Sequence, residues 1–156
     1  MLLSPVLGAV AGLVAAVAMT VPMSKQSEGF TPAYVAAAAL RGSRPDDVRF
    51  RDAVLAHHVA GLLVGAAYGF LFALLGALLP RLVAVADGVA LLPHVASVAL
   101  VVAFVYVFFA YLVLPRTGGV VYEEQATAVR GQWLRSTLVF GAALSVVGPL
   151  LVTVGG

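Results

Sequence analysis

Three histidines, His57, His58 and His94, are the side chains best suited to metal, haem or proton chemistry. No cysteine is present, which excludes disulfides, thiolate metal sites and cysteine nucleophiles. His57 and His58 fall early in one long apolar run, and His94 falls early in the next. If the two runs are antiparallel helices rising about 1.5 Å per residue, His57 and His94 are separated by about 16 Å along the bundle axis. Two imidazoles on one metal need nitrogens about 4 Å apart. One copy of the chain therefore cannot hold a metal or haem between His57 and His94, and a bis-histidine haem would have to bridge two copies.

His57 shares a helical face with Gly61, Gly65 and Gly69, so it should point at another helix, as ionisable groups within membranes do. His58 lies about 100° further round. Glu123 and Glu124 are expected on the same side of the membrane, so His57, His58, Glu123 and Glu124 form the candidate proton or metal site. The competing reading makes His57 a neutral, hydrogen-bonded contact between helices. His94 follows Pro93 and reads as an interfacial or capping contact. Arg130 and Arg135 suit lipid headgroups, the ordinary partners of basic residues at an inner interface.

Other chemistry finds no support. No Ser/His/Asp arrangement and no Gly-rich phosphate loop is present. No apolar run carries Lys, Asp or Glu in its middle third, where pumps and secondary transporters place ionisable groups. Tyr68, Ser97, Tyr106, Tyr111 and Ser145 are the mild polar groups there, and the only lysine, Lys25, is in a loop. We expect no cofactor, no bound metal and no enzymatic activity.

The elements that must position these residues follow from composition. Of 156 residues, 62% are hydrophobic and 10% charged, against about 45–50% and about 25% in soluble domains. A net charge of +2 is too small for a nucleic-acid surface. Four runs are long and apolar enough to be transmembrane helices: residues 2–23, 53–79, 89–114 and 133–154. They do not alternate polar and apolar residues, so they are not barrel strands. The expected fold is all-α, a single four-helix transmembrane domain over residues 1–156. Ala16-Val17-Ala18 resembles a signal cleavage site, but no basic stretch precedes it, so the first helix is expected to be retained. Eight of the nine Lys and Arg residues fall in loops one and three, which puts those loops in the cytoplasm and both termini outside.

Within loop one, Thr31-Pro32 and Gly42 bracket a short helix expected to lie at the cytoplasmic membrane surface. Arg44-Pro45-Asp46-Asp47 should start a new helix, one that could run straight into the second span. In loop three, Thr117-Gly118-Gly119 should break the chain, and residues 123–130 should form a lead-in helix to the fourth span.

Helices associate in lipid through small residues that let backbones approach. Seams at four-residue spacing occur in every span: Gly8, Gly12, Ala16 and Thr20; Gly61, Gly65, Gly69, Ala73 and Ala77; Ala99 and Ala103, with Ala110 close to the same side; Thr137, Gly141 and Ser145. They are expected to pack the four helices, and the long seam of the second span could also drive self-association.

The segments AGLVAAVAMTVPM, PAYVAAAALRG and HHVAGLLVGAAYG resemble uncharacterised four-helix integral membrane proteins of archaea and bacteria. The matching positions are Met19-Thr20, His57 or His58, Gly61, Gly65 and Tyr68, all in the first half of the chain. The resemblance implies architecture and no activity. The expected role is structural or accessory, in a homo-oligomer or a larger membrane complex among membrane lipids, without nucleic acid. A small channel or transporter with its path between copies is the second reading, and a haem- or quinone-associated electron-transfer subunit the third.

Overall fold

The computed structural model describes residues 3–86, 88–117 and 119–154. Its elements are α1 (Pro5–Ser24), α2 (Thr31–Arg41), a 3-10 turn (Pro45–Asp47), α3 (Phe50–Leu78), the strands β1 (Ala84–Ala86) and β2 (Val89–Ala90), α4 (Leu91–Val107), a π-helical turn (Phe108–Val113), α5 (Leu114–Thr117) and α6 (Gly119–Val154). The fold is all-α. Four helical stretches are long and apolar enough to cross a membrane: Pro5–Ser24, Phe50–Leu78, Leu91–Thr117 and Tyr122–Val154.

The shortest of the four spans makes the closest helix pairing. α1 packs against both α3 and α6, and α4 closes the bundle against the same two helices. Ser4 caps α1 by accepting from the Leu7 N–H, and Pro5 supplies a first-turn residue with no N–H to leave without an acceptor. The buried residues of α1 include Gly8, Ala11, Gly12, Ala15 and Ala16. Gly8 and Gly12 meet Gly61, Gly65 and Gly69 of α3 backbone to backbone. A Cβ added at Gly65 would fall 2.6 Å from Gly12 Cα, and one at Gly69 would fall 2.9 Å from Pro5 Cα. No added side chain fits at Gly8, Gly12, Gly65 or Gly69 between these helices. The seam ends there because α1 begins opposite Gly69, so Ala73 and Ala77 are exposed.

The seam of the third span is placed differently from the expectation. Ala99 and Ala103 are exposed, and α4 instead buries Pro93, His94, Ser97, Val98 and Val101. Polar and branched side chains that reach α3 and α6 took precedence over close backbone approach on this helix. Gly141 of α6 packs under the Val102 side chain, 2.5 Å from where its own Cβ would stand.

The loops also differ in detail. α2 starts on Phe30 without a side-chain cap and ends at Gly42, whose φ of 62° is the left-handed conformation of a helix stop. The Pro45–Asp47 segment is one 3-10 turn, and extended Val48 and Arg49 separate it from α3. It does not run into the second span. The lead-in to the fourth span is part of α6, in which two helices join across a kink. It is helical from Gly119, with one non-helical residue at Gln125 (φ −127°, ψ 27°). Gly118 lies outside the described residues. The second loop is a small hairpin pairing Ala84 with Ala90, turned at Gly88 with φ 76°.

Candidate functional site

Two prolines inside helices shape the polar interior. Proline has no N–H, so the carbonyl four residues earlier loses its helical donor. Pro149 in α6 leaves the Ser145 carbonyl in this state. His94 of α4 fills the vacancy, its Nε2 lying 3.1 Å from Ser145 O. A carbonyl only accepts, so Nε2 carries the proton and Nδ1 presents a lone pair. The Tyr68 hydroxyl of α3 donates to that Nδ1 over 2.7 Å. Tyr68 and His94 are both buried. Gly148 makes room: a Cβ there would stand 2.6 Å from the Tyr68 hydroxyl. Three helices are thus linked through one imidazole.

Pro115 does the same at the far end of the third span. Leu114 N–H bonds to Phe109 O, five residues back, which sets the wide π register. In that register the Ala110 carbonyl would accept from residue 115, which is proline. The Tyr122 hydroxyl of α6 donates to Ala110 O instead, at 3.1 Å.

His57 stands on the glycine face of α3, buried, with Nε2 3.0 Å from Ala16 O of α1. It is a contact between helices. His58 is partly exposed and bonds within its own helix, Nδ1 to Val54 O at 2.8 Å. Tyr68, the partner of His94, lies eleven residues beyond His57 on α3, about 16 Å along the axis, so the two buried histidines belong to different contacts.

The grouping of His57 and His58 with Glu123 and Glu124 as a metal site does not hold. Both glutamates are exposed, and among the described residues no three His, Asp or Glu side chains gather to hold a metal ion. The physical reason is the length of α6. Trp133 of α6 lines the cavity beside His57, whereas Glu123 precedes it by ten residues and lies beyond the kink at Gln125.

Arg130 is half-buried, donates to Ala126 O and lies 5.6 Å from the centre of the Tyr111 ring. Arg135 is exposed. One carboxylate not singled out in the sequence has partners on two elements. Asp52, in the first turn of α3, meets Arg49 at 2.9 Å and Arg41 of α2 at 3.1 Å. The Arg49–Asp52 spacing was the available signal for it.

Beside His57 is an apolar cavity of about 240 Å³ between α1, α2, α3, the α4–π segment and α6. Trp133 and Phe109 share its wall with ring centres 5.3 Å apart. Trp133 Nε1, Ser136 Oγ and Gln26 Oε1 are buried without hydrogen-bond partners among the described residues.

A scan against protein-family models, a search of curated proteins and a search of solved structures each return no match for this chain.

Proposed function

We propose that the chain is a non-enzymatic integral membrane protein of the cell membrane, with both termini outside, serving a structural or accessory role. One observation carries this reading: each buried histidine is tied to a backbone carbonyl of a neighbouring helix, His57 to Ala16 and His94 to Ser145. Imidazoles held this way fasten helices together, and the His94 ring is engaged at both nitrogens, by Ser145 and by Tyr68.

Assembly with itself or with a larger complex would use a different surface from the α3 seam, which is closed by α1. The groove between α4 and α6, floored by Ala99, Ala103, Gly141 and Ala142, is open and lined by small residues. Helices with bulky apolar faces dock into such grooves in lipid. The test is mild chemical cross-linking in native membranes followed by purification. A self-oligomer or a stoichiometric partner, lost on Ala142→Trp, is expected. A monomer without a partner that conducts ions or protons in liposomes would overturn the reading in favour of a channel or transporter.

A further inference from the structure

The cavity beside His57 opens sideways. Leu63 and Phe104 line it and are 61% and 63% exposed, so its mouth lies between α3 and α4 on the surface that faces lipid. Pro32 and Ala36 of the short helix α2 close one end. At about 240 Å³ it is slightly below the about 300 Å³ at which small-molecule pockets begin. It suits the end of a single flexible chain better than a fused-ring cofactor. A molecule reaching it comes from the bilayer.

Two side chains that line this apolar wall carry polar atoms. His57 donates through Nε2 to Ala16 O, which leaves Nδ1 of the uncharged ring as an acceptor with no partner among the described residues. Trp133, 7% exposed, holds an Nε1–H donor that is buried and unpartnered. Buried polar atoms without partners are rare, so Trp133 Nε1 calls for an explanation. A hydroxyl group offers a donor for the imidazole and an acceptor for the indole. An ester or ketone offers only an acceptor, and a carboxylate offers only acceptors and a charge. The cavity also abuts the π-helical turn through Phe108 and Phe109, and such turns are frequent at functional sites.

We infer that this cavity is a binding site for a lipid-derived alcohol: a single apolar chain that enters from the bilayer between α3 and α4 and whose terminal hydroxyl donates to His57 Nδ1. The site goes beyond the structural role proposed above and would give an accessory protein a lipid to sense or carry.

The experiment is photolabelling of the purified full-length protein in nanodiscs. The probe is a long-chain primary alcohol bearing a diazirine on the chain, compared with its methyl ether and with the corresponding carboxylic acid. Labelled peptides are mapped by mass spectrometry. The alcohol should label α3, the α4–π segment and α6 around the cavity, saturably, and about fivefold better than the methyl ether, the worth of one hydrogen bond. His57→Phe should remove that preference. Ala60→Phe fills the cavity while leaving His57 in place, so it should abolish labelling and keeps the test decisive if His57→Phe fails to fold. Equal labelling by the methyl ether, preference for the acid, absence of saturable labelling, or labelling indifferent to Ala60→Phe would each overturn the inference.

Discussion

His94 Nε2 bonds to the carbonyl oxygen of Ser145, which has no helical donor because residue 149 is proline. The pairing makes the cost of each residue depend on the other. His94→Phe strips the Ser145 carbonyl of its partner and should destabilise by about 1–3 kcal/mol, the penalty of leaving a buried polar group bare. Pro149→Ala restores an N–H to the helix, so His94→Phe should cost measurably less in that background. Unfolding of the four proteins in detergent gives the coupling. Strictly additive effects would mean that His94 does not serve that carbonyl.

The glycine seam makes a second prediction. Gly65→Leu must push α1 from α3, since even its first side-chain carbon would meet the Gly12 backbone. Leu63, 61% exposed, faces away from that contact. Gly65→Leu should therefore lower the melting temperature far more than Leu63→Ala, by at least the about 1–3 kcal/mol of an overpacked core. Comparable losses would show that α1 and α3 do not meet along this face.

The two adjacent histidines should separate just as clearly. His57→Leu removes a bond between helices, whereas His58→Leu removes only a bond within one turn of α3. His57→Leu should cost about 1–2 kcal/mol and His58→Leu under about half that. Thermal melts of both variants decide the matter, and the reverse order would mean that the rotation of α3 is misassigned.

Orientation in the membrane is tested by single cysteines, which the cysteine-free chain makes clean to read. Ala86→Cys, in the hairpin, should react with an impermeant thiol reagent applied to intact cells, and Ser43→Cys, after α2, should not. Labelling of Ser43→Cys from outside would invert the assignment drawn from the arginines.

The spans were legible because hydropathy is a local property: three of the four helical stretches begin and end within about three residues of the apolar runs that encode them. The fourth starts earlier, at Tyr122, because polar residues can continue a helix beyond the bilayer, where hydropathy has no power to report it. The seams of α1 and α3 were legible from spacing alone, since four-residue repeats of glycine have one physical use in lipid. The Tyr68–His94–Ser145 connection was only half written. Pro149 marks the Ser145 carbonyl as bare, and that can be read from the sequence. Which side chain reaches it depends on how α3, α4 and α6 sit together, and no short-range pattern encodes that. Glu123 and Glu124 are the opposite case: sharing a side of the membrane with His57 does not make them its neighbours, and both stand exposed before the kink at Gln125.

The close pairing of α1 with α3 has a consequence for how the chain is made. α1 and α3 leave the ribosome before α4 and α6, and their glycine contact is complete without the second half of the protein. Chains are synthesised at about 5–20 residues per second, N-terminus first, so this pair can lock in the bilayer while the remainder is still being translated. Nascent chains halted after α3 should already hold the two helices together. The later helices then assemble onto a finished hairpin, and α6 is the last to cover the exposed side of α1.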